Sequence, residues 1–223
     1  MQLLDLLLPQ RCLVCSLPGL ALCAACLGAL PRLASPLCER CGAPTQWPVE
    51  RCRECAGRQL AFRWARAAVA YDAAVRRLVS GWKERGLRGV APVAAELVVE
   101  AVPRPPVDAL VTVPSDPDRG LRRGHHPAAG LARELGLVWA LPVLPLLVRT
   151  RGRPRQRGLS LHERRRNVAG AAVARERAPP RVAVVDDVYT SGATAGAAAS
   201  ALRAAGAREV GVVTFARAVR GLR

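Results

Sequence analysis

Lysine is almost missing from this chain of 223 residues: of the 34 basic residues that are Lys or Arg, only Lys83 is a lysine. Aromatic residues make up 4%, with two Phe and two Tyr, and no cysteine follows Cys55. The uncharged, apolar stretch Leu135–Val148 is too short to span a bilayer and is broken by Pro142 and Pro145, so it does not read as a transmembrane helix. With so few aromatics among its arginines, the chain lacks the interleaving that stacks nucleic-acid bases. The leucine-rich start, Met1 to Leu8, carries Asp5 and no basic leader, so it does not read as a signal peptide. The expectation is a cytoplasmic protein with reduced thiols.

What is present is apolar and basic. Hydrophobic residues reach 51% and charged residues 23%, the composition of a globular chain. The length suffices for one α/β domain and a small appendage. A formal net charge of +17 points to anionic partners such as nucleic acid, pyrophosphate or phospholipid headgroups, although the arginine excess also fits a biased genome composition. A solitary lysine suits a contact that wants a compact ammonium, such as a pyrophosphate or a magnesium-bound phosphate. A helix-surface lysine kept by chance is the competing reading.

All eight cysteines fall in C-x-x-C pairs: Cys12/Cys15, Cys23/Cys26, Cys38/Cys41 and Cys52/Cys55. Two thiolates three residues apart on a turn grip one side of a tetrahedral ion, and two such turns close the site. Four pairs imply two structural zinc ions. Sequential grouping, Cys12, Cys15, Cys23 and Cys26 for one and Cys38, Cys41, Cys52 and Cys55 for the other, keeps each loop short; a cross-braced arrangement is the alternative. Closed four-sulfur sites leave no position for zinc-bound water. Residues 1–60 hold too little apolar material to fold without metal.

Behind this module, strands are expected at 63–71, 107–113, 143–148, 181–186 and 209–216, with helices at 73–85, 89–101, 127–136 and 194–205. Alternating apolar strands and helices argue for a mainly parallel sheet covered on both faces. Ligands of such sheets sit beyond the carboxyl ends of the strands. There the run Val182 to Val185 meets Asp186 and Asp187, then Val188, Tyr189, Thr190, Ser191, Gly192, Ala193 and Thr194 at the start of an alanine-rich helix. Amides at a helix start and the Thr190, Ser191 and Thr194 hydroxyls can ring a phosphate. The two carboxylates would face a ribose diol or a metal. A buried strand with a capping turn and solvated acids is the plain alternative, costly for two carboxylates without partners.

This segment resembles the thirteen-residue phosphoribosyl pyrophosphate (PRPP) motif of type I phosphoribosyltransferases. Together with the leucine-rich start and the paired cysteines, the chain resembles the ComF family over nearly its whole length. Trp82-Lys83 stands where that family carries its lysine, and Val113-Pro114-Ser115 stands at its pyrophosphate loop. Arg122-Arg123-Gly124, Gln156 with Leu159, and Arg164 to Val168 match stretches between the loops. The resemblance implies a type I phosphoribosyltransferase fold at 61–223 behind a double zinc ribbon at 1–60, and Mg²⁺ with PRPP as ligand. Asp186, Asp187 and Lys83 would do the chemistry. Val188 to Thr194, Pro114, Ser115, Arg122 and Arg123 would hold phosphate. Natural competence, DNA-uptake machinery and single-stranded DNA are the implied setting and partners, with nucleotide metabolism as another setting.

Two departures stand out. His125-His126-Pro127 replaces the usual Phe-Asn-Gln, and Tyr189 takes a place usually given to a small or aliphatic residue. The segment Arg149–Arg166, with eight arginines and one acid, suits a loop closing over pyrophosphate or a sliding contact with a nucleic-acid backbone; a solvated loop is the plain reading. Two functions are therefore carried forward: phosphoribosyl transfer to a nitrogen acceptor, and non-catalytic binding of DNA or a partner on the same fold.

Overall fold

In the computed structural model, described over residues 10–87, 89–114, 126–149 and 172–219, the runs of small β-branched and alanine residues form a parallel sheet buried on both faces. Its strands are β1 (Trp64–Ala70), β2 (Ala109–Thr112), β3 (Val143–Leu144), β6 (Arg181–Tyr189) and β7 (Glu209–Arg217). They lie side by side in the order β1-β7-β6-β2-β3, every pair parallel. A separate antiparallel pair joins β4 (Leu147–Arg149) to β5 (Ala172–Ala174). The helices are α1 (Ala24–Gly28), α2 (Ala73–Arg85), α3 (Val90–Ala101), α4 (Pro127–Trp139) and α5 (Ala193–Ala204). This is the mainly parallel α/β architecture, with a cysteine-rich ribbon in front, that a phosphoribosyltransferase fold requires. None of the described helices is long and apolar enough to cross a membrane.

Period-two alternation along β6 builds both faces at once. Ala183 and Val185 pack with Leu78, Trp82, Val98 and Leu131 of α2, α3 and α4. Val182 and Val184 pack on the other side with Ala198 and Leu202 of α5. Helix starts follow local chemistry. Asp72 Oδ1 accepts from the Val75 amide at 2.8 Å to cap α2, and His126 Nδ1 accepts from the Ala129 amide at 3.0 Å to cap α4, with Pro127 at its first position. His126 therefore serves a helix end.

Two expectations needed correction. The strand expected at 143–148 is two short strands, because Pro145 between them has no amide to continue the ladder. Leu147–Arg149 turns away to pair with β5, whose three residues carried no visible strand signal. The strand expected to stop at Asp186 runs on to Tyr189, held by β7 as far as the Tyr189–Arg217 pair. The two acids thus sit inside the end of a strand.

The ribbon is not suspended from this domain by a linker. Cys12, Leu13, Leu22 and Leu30 join the core on the α2/α3 side. Cys38, Cys41, Cys55, Leu60 and Phe62 join the α5 side. The second half docks closely on β1. Arg66 Nη1 donates to the Glu39 carbonyl at 2.9 Å, and Gly42, at φ +69°, lies so near that a Cβ there would meet the Ala65 carbonyl oxygen at 2.4 Å. Gly42→Ala combines a left-handed backbone with a backbone clash. It is expected to cost about 2 kcal/mol, a fall in Tm of roughly 4–8 °C for a chain of this size, read by thermal melting of the metal-loaded protein.

Candidate functional site

Asp187 follows Ala183 and Val185 along β6, which brings it over α2. There Lys83 Nζ meets its Oδ2 at 2.7 Å. Asp187 is 7% exposed, so this pairing answers the need of a buried carboxylate for a counter-charge. The one lysine of the chain is thereby placed against the second acid of the motif, and its side chain remains about a third exposed. The preceding Asp186 accepts the Asp187 amide on Oδ1 at 2.8 Å. Burial and the neighbouring Asp187 carboxylate push its carboxyl up to about 7, against the pull of that amide and of Lys83. One acid of the pair is therefore neutralised by a cation, and the other is poised to lose its proton near neutrality.

Immediately beyond the strand, Thr190 and Ser191 are exposed and Gly192 turns the chain at φ +71° into α5. Gly192 is required for space as well as dihedral: a Cβ there would fall 2.3 Å from the Tyr189 hydroxyl. Ser191 Oγ accepts from the Ala193 amide at 3.3 Å, so this hydroxyl orders the helix start and keeps its own proton to donate. Val188 and Ala193 are half-buried and Thr194 is exposed. Tyr189 is buried beneath the loop, edge-on to Phe62 with ring centroids 6.2 Å apart. Pro114 ends the described part of the segment after β2, at the same carboxyl edge of the sheet as Asp186. Ser115, Arg122, Arg123, His125 and the residues of the basic stretch after Arg149 lie outside the described residues.

The structure adds residues that no motif announced. Arg58, from the ribbon, donates from Nη2 to the Ser191 carbonyl. Arg217, the last residue of β7, is 2% exposed and lies 4.5 Å over the Tyr189 ring. Glu54 pairs with it at 2.9 Å. Each joins segments more than 100 residues apart, and among thirty-three arginines no local signal marks these two.

The cysteines come together in the sequential grouping. In each set of four, all sulfurs lie within 4.8 Å of one another. Contacts of 3.8 Å (Cys15–Cys23), 3.7 Å (Cys38–Cys55) and 3.6 Å (Cys41–Cys52) match the roughly 3.8 Å edge of a tetrahedron with Zn–S bonds of about 2.3 Å. The thiols of one set also pull against each other. Cys12 is buried, yet the backbone amides of Cys15, Cys23 and Val14 bring it down to about 6. Cys26 is pushed up to about 12 by burial and by the three neighbouring sulfurs. A divalent cation removes that conflict by holding all four as thiolates. Both sets fit structural zinc ions.

Comparison with known proteins agrees. A double zinc ribbon domain model matches residues 3–56. Competence protein F of Haemophilus influenzae is 30% identical over 208 residues, covering 86% of this chain and 90% of that protein. The DNA utilization protein YhgH of Salmonella typhi is 29% identical over 233 residues, covering 95% and 99%.

Two outcomes are expected. Elemental analysis of purified protein gives two zinc ions per chain, and Cys15→Ser or Cys52→Ser each lowers the count to one. A carboxyl whose value rises from 3.8 to about 7 on folding binds its proton more tightly in the folded state. Stability is therefore lost as pH climbs through that window. Asp186→Asn, which keeps the acceptor for the Asp187 amide, raises Tm more at pH 8 than at pH 5.

Proposed function

The chain belongs to the ComF family, and on that premise we propose that it binds PRPP or a closely related phosphoribosyl ligand with Mg²⁺ at the carboxyl end of β6, in the service of handling incoming DNA. The observation that carries the reading is the Lys83–Asp187 pair at 2.7 Å beside a second acid near neutrality, followed at once by a glycine turn into α5. Competence and DNA utilization are the names of its relatives, which supports the biological setting.

The geometry supports a division of labour. Asp186 and Asp187 accept hydrogen bonds from the two ribose hydroxyls, the only groups on such a ligand that donate to carboxylates. Thr190, Ser191 and Thr194 and the amides opening α5 surround the 5-phosphate, where the helix dipole favours negative charge. Lys83 pairs with Asp187 and holds it in place. When bound, Mg²⁺ would supply charge neutralisation for the pyrophosphate. Transfer to a nitrogen acceptor would need no covalent protein nucleophile, since positioning and charge stabilisation carry such a displacement. The runner-up, DNA binding without turnover on the same fold, is supported by the net charge of +17 and the arginines from Arg149 to Arg166.

Calorimetric titration with PRPP and Mg²⁺ is expected to give saturable binding. Losing two hydrogen bonds to charged acceptors, each worth about 1.5–3 kcal/mol, predicts that Asp186→Asn with Asp187→Asn weakens it at least about a hundredfold. Affinity rises between pH 6 and pH 8 as Asp186 gives up its proton. Unchanged affinity in the double variant would remove the acids from the site. Release of pyrophosphate on adding candidate nitrogen bases separates transfer from binding alone. Single-stranded DNA binding that survives the double change, and disappears when the arginines of Arg149–Arg166 become glutamine, would favour the runner-up.

A further inference from the structure

Arg217 is the most deeply buried charged side chain among the described residues, at 2% exposure, and its guanidinium donates to three acceptors of the ribbon. Nη1 donates to the Cys41 carbonyl at 2.5 Å. Nη2 donates to Cys41 Sγ at 3.5 Å and to Glu54 Oε2 at 2.9 Å. A zinc ion held by four thiolates carries two net negative charges, so a guanidinium on one of those sulfurs is a charge-assisted partner of the metal site. The other side of the same guanidinium lies over the Tyr189 ring at 4.5 Å. Tyr189 is wedged against Phe62, and its hydroxyl lies directly beneath Gly192 at the turn into α5. A second tie runs in parallel: Arg58, three residues after Cys55, holds the Ser191 carbonyl.

We propose that the Cys38/Cys41/Cys52/Cys55 site is a positioning device for the loop Thr190–Thr194, acting through Arg217 and Tyr189. The inference rests on the reading of that loop as the phosphate cradle, but the order of the loop can be measured without any ligand. With the metal in place, the Cys41 knuckle is rigid, Arg217 is pinned on it, and the tyrosine ring has one position under Gly192. Loss of the metal removes the negative charge that Arg217 answers and frees the Cys41 turn, so the floor of the loop loosens. The first site packs elsewhere: Leu13, between its ligands Cys12 and Cys15, lies against Gly81 of α2. The two cysteine sites therefore brace different elements, the first α2 and the second the loop after β6. Tyr189 becomes a positioning residue with a stated contact.

Backbone hydrogen exchange on the full-length, zinc-loaded protein tests this, because exchange reports local opening. Arg217→Met is expected to keep two zinc ions yet to speed exchange across 188–196 by about tenfold, with β2 unchanged and PRPP affinity lowered by a similar factor. Arg217→Lys, which keeps the charge without the fork, falls between. Cys52→Ser, which spares Cys41, reproduces the loop effect; Cys15→Ser does not. Should Arg217→Met fail to fold, Tyr189→Leu serves at the other end of the contact and is expected to loosen the same segment with both metals retained. Exchange at 188–196 equal to wild type in Arg217→Met or Tyr189→Leu overturns the proposal. So does equal loosening by Cys52→Ser and Cys15→Ser. A wild-type protein that ignores PRPP, but whose loop loosens as described, overturns only the functional reading.

Discussion

A buried strand that carries two adjacent carboxylates near its end has to be given positive charge, and the rest of the carboxyl edge of this sheet is arranged around that need. β6 is covered on both sides as far as Tyr189, so Asp187 emerges from a dry interior and not from a solvated loop. The ammonium that meets it comes from the last turn of α2, at 2.7 Å. For Lys83 to arrive there, α2 must lie flat on the sheet, which Val75, Leu78, Val79 and Trp82 secure by complete burial. Trp82, next to the lysine, is locked edge-on against Phe215 of β7 at 6.2 Å. The ion pair is thus held by apolar packing, and a compact ammonium fits a place that a guanidinium fork would overfill.

The same logic explains why the ribbon forms a wall of the core. The α/β part is rich in alanine and valine, and such side chains leave little width between layers. The ribbon contributes bulk on both faces: Leu13, Leu22 and Leu30 against α2 and α3, Leu60 and Phe62 against β6 and α5. Aromatic rings fill further gaps left by small residues. Trp64 lies over Gly211, where a Cβ would come within 2.1 Å of the ring, and Tyr189 fills the space under Gly192. Metal binding couples to the folding of such ribbons, and here the ribbon supplies part of the sheet's hydrophobic cover.

Much of the chemistry was legible along the chain because it is local. C-x-x-C turns, an acid pair at a strand end and a glycine before an alanine-rich helix each specify their geometry within a dozen residues. Strand order was not legible, because β1, β7 and β6 lie side by side only once helices of suitable length have crossed the sheet. The strand expected at 143–148 ran through Pro145, where the ladder breaks, and the pairing of β4 with β5 depends on a partner more than twenty residues away. The end of β6 was misplaced for a similar reason. Polar Asp residues usually close a buried strand, but here the ladder to β7 carries on to Arg217.

From residue types and spacings alone came the α/β class, the four-cysteine groupings, the acids and glycine of the candidate loop, and the singularity of Lys83. These follow from short-range rules of turn, strand and ligand geometry. Only the tertiary structure decided that Lys83 answers Asp187 in place of any phosphate alone, and that Asp186 titrates near neutrality. It also decided that two arginines among thirty-three tie a metal knuckle to the loop. Charge compensation and burial depend on which distant segments share a dry interior, and that is set by the closing of the whole core.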